Sequence, residues 1–104
     1  MSAHVVCPFA ELAPSSARRF EVDGHTIAVV RIQDDLYAIG DTCSHADVSL
    51  SAGTVWPDEC ELECWKHGST FSLKTGEPQS LPATRPVPVY IVARIGDDIV
   101  VTLP

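Results

Sequence analysis

Two short stretches of this 104-residue chain each place a cysteine close to a histidine. The first has the pattern C-x-H, with Cys43 and His45, and the second has the pattern C-x-x-H, with Cys64 and His67. Residues 46–63 separate them. Thiolate and imidazole both bind transition metals, so the two stretches together could supply four ligands to one metal centre. No arrangement for nucleophilic or general acid–base catalysis stands out elsewhere in the sequence.

Two kinds of metal centre are compatible with this ligand set. Zinc is one candidate, because two cysteines with two histidines are a common zinc-binding set. Finger-type zinc sites usually take both cysteines from one pair and both histidines from the other, whereas each pair here is mixed. A cluster of two irons and two sulfides explains mixed pairs better, since each loop can send its cysteine to one iron and its histidine to the other. The residues alone leave both possibilities open.

The composition describes one small domain that does not bind nucleic acid. Seven basic residues against fourteen acidic ones give a net charge of −7, and phosphate binding needs a basic face. The acidic surface could steer association with a basic protein partner, or it could serve solubility alone.

We expect a soluble, cytosolic protein with no membrane partner. The first residues do not resemble a signal peptide, and no apolar run approaches the roughly 20 residues that a membrane helix needs. In that compartment disulfides are rare, so the four cysteines of the chain are expected to be metal ligands or reduced thiols.

The elements that must hold the two stretches are short β-strands. Predicted hairpins join 19–22 to 25–32 through Asp23-Gly24, and 87–95 to 99–103 through Gly96-Asp97-Asp98. Asp34-Asp35 is predicted to turn the chain into a strand over 36–39, and residues 9–12 could form one helical turn. The alternation of apolar residues over 87–95 has the period of a strand. The pattern predicts an all-β sandwich or barrel.

The middle of the chain differs from both ends. From 41 to 88 it is interrupted by Gly, Pro, Ser and Asp, and only 59–64 and 69–73 have strand-like patterns, the second ended by Thr75-Gly76. We therefore predict a single domain over residues 1–104. Residues 1–40 and 87–104, approximately, form a β-scaffold, and residues 41–86 form an inserted, loop-rich lobe that carries the metal centre.

The stretches CSHADVSLSAG and CWKHGSTFSLKTGEP resemble the two ligand loops of Rieske ferredoxins, small soluble proteins of bacterial multicomponent oxygenases. The resemblance extends over essentially the whole chain, because the predicted strands fall where that family has its scaffold. It implies a Rieske-type antiparallel β-sandwich or barrel with a cluster-binding lobe, and one [2Fe–2S] cluster. It also implies that Cys43 and Cys64 bind the inner iron and that His45 and His67 bind the outer one.

The resemblance further implies an electron carrier rather than an enzyme. The chain would be a cytoplasmic monomer that docks transiently with two proteins. It would take single electrons from an NADH-dependent flavin reductase and pass them to the terminal oxygenase of a dioxygenase system. One alternative keeps the cluster in a carrier for iron–sulfur assembly or nitrite reduction. A third possibility is a zinc-stabilised interaction module.

Several neighbours of the ligands bear on the reduction potential. In high-potential Rieske subunits, the positions that match Val48 and Lys66 are cysteines joined by a disulfide, and those that match Ser69 and Phe71 are hydroxyl donors to the cluster sulfurs. Here only Ser69 keeps its hydroxyl. Since hydrogen bonds to sulfur raise the potential, we expect a value in the lower half of the Rieske range of about −150 to +300 mV.

Three further residues complete the expected surroundings of the cluster. Ala46 and Trp65 each adjoin a ligand, and Trp65 could shield the cluster or contact a partner protein. Pro82 lies in the segment 81–86, which resembles the proline-containing third loop that covers the cluster in Rieske domains.

The other cysteines and histidines are predicted not to be ligands. Cys60 would share one strand face with Leu62 and Cys64 as a small core residue, and Cys7 would be buried at the end of a first strand. His4 and His25 are expected at the surface. The opposite face of that strand would carry three glutamates, which could dock a basic partner or simply face solvent: Glu59, Glu61 and Glu63.

Overall fold

The computed structural model of the protein describes residues 2–43, 48–66, 68–79 and 85–104. Within these ranges the structure is almost entirely β, and none of its helices is long and apolar enough to cross a membrane. Two 3₁₀ turns lie at Phe9–Glu11 and Leu50–Ala52. The strands are β1 (Ser2–Pro8), β2 (Ser16–Val22), β3 (His25–Ile32), β4 (Asp35–Gly40), β5 (Thr54–Trp56), β6 (Glu61–Glu63), β7 (Thr70–Ser72), β8 (Val89–Ile95) and β9 (Asp98–Leu103).

The strands form two antiparallel sheets. The larger sheet has the order β1-β9-β8-β4-β3-β2, and its end strands β1 and β2 contact each other, so the sheet curls on itself. The smaller sheet, β5-β6-β7, is inserted between β4 and β8 along the chain. This arrangement confirms the predicted all-β fold with an inserted lobe. The hairpins predicted around Asp23-Gly24 and Gly96-Asp97 are both present.

The turn between β3 and β4 lies one residue earlier than the sequence predicted. Asp35 already belongs to β4, where it pairs with Ile32, so Gln33 and Asp34 make the turn. Gln33 has a φ of 55°, the left-handed conformation that two-residue hairpin turns need at this place. Glutamine has no particular preference for that conformation, whereas two adjacent aspartates are a common turn pattern. The sequence therefore favours a turn at Asp34-Asp35.

Strand β3 is buried on both faces and therefore belongs to two cores. Ile27 and Val29 point into the barrel core inside the curled sheet, and Ala28 and Val30 point into the lobe core on the other side. All four side chains are fully buried. The barrel core is completed by Cys7, Phe9, Leu12, Val22, Ala38, Ile99, Val101 and Leu103, and the lobe core by Ile39, Cys43, Leu50, Leu62, Cys64, Phe71, Leu73 and Val87.

Strand β8 shows the predicted alternation of apolar residues, but part of its apolar face is exposed to solvent. Val89, Ile91 and Ile95 are 46%, 64% and 62% exposed, whereas Tyr90 and Val92 pack against the barrel core. A period of two identifies which residues share a face of a strand, but it does not say which face is buried.

The buried core and the exposed face of β8 predict different effects of the same substitution on stability. Replacing Ile27 with Ala removes a fully buried side chain and should lower the free energy of unfolding by about 2–5 kcal/mol. The matched change at exposed Ile91 should alter it by no more than about 0.5 kcal/mol. Urea unfolding of both variants measures the difference, and an equally large loss in Ile91→Ala would contradict the exposure of that face.

Candidate metal centre

The first ligand loop leaves the scaffold directly after β4 and closes on itself within a few residues. Thr42 and Ser49 pair in an antiparallel bridge, and the backbone N–H of Cys43 donates to the carbonyl of Val48 at 3.0 Å. Cys43 is 4% exposed and belongs to the lobe core. His45 lies outside the residues that the structure describes.

The second ligand loop is the connection of the β6–β7 hairpin. The N–H of Cys64 donates to the carbonyl of Ser69 at 2.7 Å, and the N–H of Gly68 donates back to the carbonyl of Cys64 at 2.9 Å. Gly68 has a φ of +76°, which glycine adopts without the steric penalty of a side chain. Cys64 is completely buried, and His67 is outside the described residues.

The two loops present their cysteines to the same buried, apolar core. Cys43 and Cys64, which are far apart in the sequence, both pack into the lobe core with Leu50, Leu62 and Phe71. All four cysteines of the chain are among the described residues, and none forms a disulfide. Two cysteines held in one apolar core at the closed ends of two loops suit a cofactor that binds thiolate ligands.

A close backbone contact links the two loops beyond their shared core. Gly53 follows the 3₁₀ turn Leu50–Ala52 that ends the first loop, and it lies directly against the backbone of Glu63, the residue before Cys64. A β-carbon on Gly53 would be 1.8 Å from the Glu63 carbonyl oxygen, so no larger residue fits without moving β6.

The prediction that Cys60 shares a strand with Leu62 and Cys64 is wrong. Strand β6 covers only Glu61–Glu63, and Cys60 occupies the preceding turn with a φ of 56°. Its side chain is half-buried and packs against the lobe core, and its carbonyl accepts the N–H of Leu73 at 2.9 Å. The left-handed conformation takes Cys60 out of the period-2 pattern.

Cys60 also joins the lobe to the scaffold through Tyr37 of β4. The hydrogen bond between the phenol and the Cys60 side chain raises the pKa of Tyr37 to about 12, and partial burial and the charge of Asp35 act in the same direction. Only the protonated phenol can donate this bond, so the contact favours the neutral form.

The predicted neighbours of the ligands occupy two different environments. Phe71 and Ser69 are fully buried and Val48 packs against the lobe core, whereas Trp65 is 57% exposed and Lys66 is also exposed. Ala46, Pro82 and residues 81–84 of the predicted covering loop (81–86) lie outside the described residues.

Cys7 is buried as predicted, and the two remaining histidines take part in other contacts. His4 bonds to Ser2, and His25 bonds to the hydroxyl of Tyr90 at 3.2 Å. His25 is half-buried rather than fully at the surface.

Sequence reasoning missed Asp41, which stands two residues before Cys43. The residue is 1% exposed, and its carboxylate accepts the hydroxyl of Ser49 at 2.5 Å and the N–H of Ser51 at 2.9 Å. A single aspartate at the end of a strand is typical of an ordinary turn. No pattern in the sequence therefore distinguishes a buried aspartate such as Asp41 from an exposed turn residue.

The fold and the site together define a β-protein in which two loops each place a buried cysteine in the same apolar core. A family model for the Rieske [2Fe-2S] domain matches residues 2–91. The chain therefore belongs to the Rieske [2Fe–2S] family, and its cofactor is one [2Fe–2S] cluster. The predicted family and cofactor are confirmed, and the zinc-stabilised module is wrong.

Similar proteins cover nearly the whole chain. The ferredoxin component of biphenyl 2,3-dioxygenase from Rhodococcus jostii is 37% identical over 99% of this chain and 94% of its own length. The structure of the ferredoxin of carbazole 1,9a-dioxygenase from Nocardioides aromaticivorans has a TM-score of 0.94, 37% identity and 97% coverage of both chains.

The structure of the complex of reduced oxygenase and oxidized ferredoxin in carbazole 1,9a-dioxygenase is similar to this chain, with a TM-score of 0.87 and 37% identity. It covers 95% of this chain and 91% of that chain. This kinship confirms the prediction of an electron carrier of the ferredoxin type that is not itself an enzyme.

The contact between Tyr37 and Cys60 predicts the behaviour of the protein in alkali. The ordinary pKa of a tyrosine is 10.0, and the pKa of Tyr37 in the folded protein is about 12, so folding favours its protonated form. The stabilisation is complete below pH 10 and is lost as the pH rises through about 12. Tyr37→Phe should make stability less dependent on pH in this window, as measured by urea unfolding.

An ultraviolet difference titration of the phenolate checks the cause of this shift. The chain has two tyrosines, and burial also raises the pKa of Tyr90. Cys60→Ala should move the Tyr37 step down towards pH 10 and leave the Tyr90 step in place. An unchanged Tyr37 step would contradict the assigned hydrogen bond.

Proposed function

We propose that this protein is the ferredoxin of a bacterial dioxygenase system. It takes one electron at a time from an NADH-dependent flavin reductase and delivers it to the terminal oxygenase. The observation that carries the proposal is the full-length similarity, at 37% identity, to proteins named as ferredoxins of biphenyl and carbazole dioxygenases. The similar ferredoxin whose complex with an oxygenase is known supports the acceptor. The reductase follows from the need of such a carrier for an electron donor.

The proposed ligands are Cys43 and Cys64 on the inner iron and His45 and His67 on the outer iron. Support comes from the shared burial of the two cysteines and from the two closed loops that present them. When bound, the cluster supplies reversible one-electron chemistry, at a higher potential than an all-cysteine cluster because two neutral imidazoles replace two thiolates.

The chain contributes rigidity and exclusion of water at this site. Backbone hydrogen bonds close each loop next to its cysteine, which limits how far the ligands can move between the two oxidation states. Leu50, Leu62 and Phe71 are fully buried around the cysteines and keep water away from their sulfurs. A small structural change on electron transfer favours fast exchange with partner proteins.

The proposal also divides the chain into a scaffold and a cluster-binding lobe. Residues 1–40 and 87–104 would form a scaffold with one purpose, to hold the lobe of residues 41–86. The six-stranded sheet draws all its strands from the two outer segments, and the three-stranded sheet lies wholly inside the lobe, which supports this boundary.

The working surface would be the exposed end of the lobe beside the ligands. Trp65 directly follows Cys64 and is 57% exposed, so it offers a large apolar contact next to the cluster. Docking would be transient and weakened by salt, because the chain carries a net charge of −7.

The glutamates of β6 contribute less to docking than an open acidic stripe would. Glu61 and Glu63 are half-buried, and Glu63 accepts the indole N–H of Trp56 at 3.0 Å. Glu63 therefore already has a hydrogen-bond partner within the small sheet.

We place the protein in the cytoplasm and expect it to act as a monomer. The absence of disulfides among its four cysteines supports a reducing compartment. The large net charge of a small chain disfavours association with itself.

Metal analysis with electron paramagnetic resonance tests the ligand assignment. Anaerobically isolated protein should contain about two irons and two labile sulfides per chain, as a [2Fe–2S] cluster requires. Its reduced form should give the low-average-g signal of mixed histidine and cysteine ligation, with a potential in the lower half of the range from about −150 to +300 mV. His45→Ala and His67→Ala should each abolish the signal. Cys60→Ser is the control that should keep it, and a Cys60→Ser protein without a cluster would show that the thiols are wrongly assigned.

Stopped-flow kinetics with a terminal oxygenase tests the docking surface. Trp65→Ala should slow electron transfer several-fold while the reduction potential stays the same, because the change removes contact area and leaves the ligands alone. Trp56→Ala is the matched control, since Trp56 is also exposed but lies on the small sheet. Equal rates for the wild type and Trp65→Ala would exclude Trp65 from the docking surface.

A further inference from the structure

The buried residue Asp41 connects the first ligand loop to the scaffold through both its backbone and its carboxylate. Its backbone N–H donates to the carbonyl of Thr26 in β3 at 3.0 Å, and its own carbonyl accepts the N–H of Leu50 at 2.6 Å. Its side chain accepts the hydroxyl of Ser49 and the N–H of Ser51. Asp41 thus holds the returning end of the loop against the strand that the loop left.

The hydrogen bonds of Asp41 restrain the loop close to the proposed ligand Cys43. Cys43 follows Asp41 by two residues, and two residues of extended chain span at most about 7 Å. Asp41 and Cys43 are both buried, so the space around them contains protein rather than bulk water. A charge in such surroundings acts on its neighbours more strongly than one at the surface.

The charge of Asp41 has a partner on the scaffold. The Arg19 guanidinium on β2 places its Nε 3.6 Å from Oδ2 of Asp41, and it also contacts Glu21 at 3.3 Å. The arginine side chain is 53% exposed, whereas the aspartate side chain is 2% exposed. A buried carboxylate is costly without hydrogen bonds and a counter-charge, and Asp41 has both.

We propose that Asp41 is a positioning residue for the first ligand loop, and that the Arg19–Asp41 pair helps to set the reduction potential of the centre. The carboxylate holds the loop closed around Cys43, and its negative charge opposes the arrival of an electron. The guanidinium offsets part of that charge. The inference rests on the proposed ligand role of Cys43.

Two substitutions that change the charge in opposite directions distinguish an effect on the reduction potential from a purely structural role. Asp41→Asn removes the negative charge but keeps the shape, since the amide oxygen can accept the N–H of Ser51 and the amide nitrogen can donate to the Ser49 hydroxyl. Arg19→Gln removes the positive charge and leaves the carboxylate in place. The matched control is Glu21→Gln, because Glu21 contacts the same arginine but is 73% exposed.

The midpoint potential of the intact, cluster-loaded protein is the decisive readout. Asp41→Asn should shift it upwards and Arg19→Gln should shift it downwards, while Glu21→Gln should leave it near the wild-type value. A purely structural role would predict no shift or shifts in the same direction, and either result would overturn the proposal.

Loop closure has a readout of its own. Asp41→Ala removes two hydrogen bonds to a charged acceptor, so an iron chelator should extract the cluster about ten- to a hundred-fold faster than from the wild type. If Asp41→Ala fails to assemble the cluster, Ser49→Ala replaces it, and an unchanged rate of extraction would then count against the proposal.

The design also distinguishes failure of this inference from failure of the ligand assignment. Iron content and the paramagnetic signal report whether Cys43 holds a cluster at all, and they are measured first on each variant. A full cluster with an unmoved potential overturns the role of Asp41 and Arg19 alone.

Discussion

The structure depends on bringing two cysteines from separate loops into one buried, apolar core. Cys43 and Cys64 are held there by hydrogen bonds at the closed ends of their loops and by apolar side chains around them. A thiolate ligand in such a core is sheltered from solvent, and its position changes little when charge arrives. Both properties suit a carrier that must accept and release electrons without rearranging.

The lobe could not provide this core alone. Its strands have three residues each, and a sheet of that size is too small to be stable without packing against something else. The missing surface comes from β3, whose Ala28 and Val30 face the lobe while Ile27 and Val29 face the barrel. The scaffold therefore stabilises the lobe through a shared strand, and the bound cluster adds its own binding free energy to the same unit.

Local features of the sequence were enough to predict most of the fold. Asp23-Gly24 specifies a tight turn by its own conformational preferences. The paired C-x-H and C-x-x-H patterns are specific because a cysteine and a histidine, both able to bind metals, occur close together twice. Features that depend on distant contacts were not predicted. Cys60 leaves its strand because a turn needs a left-handed residue there, and β5 has too few residues to produce a pattern.

Asp41 shows the same limit at the site itself. Its role rests on Arg19, which lies on another strand, and on two serines of the loop that it closes. None of these residues is unusual in the sequence, and only the fold brings them together around the buried carboxylate. The exposed apolar residues of β8 are a further case, because the pattern that revealed the strand could not reveal which side faces water.

The central claim is that two histidines and two cysteines bind one pair of irons. Pulsed electron paramagnetic resonance on the reduced protein, with its histidines labelled with nitrogen-15, tests it most directly. The account predicts hyperfine couplings from two histidine nitrogens bound to the cluster. Couplings from one histidine nitrogen, or from none, would contradict it.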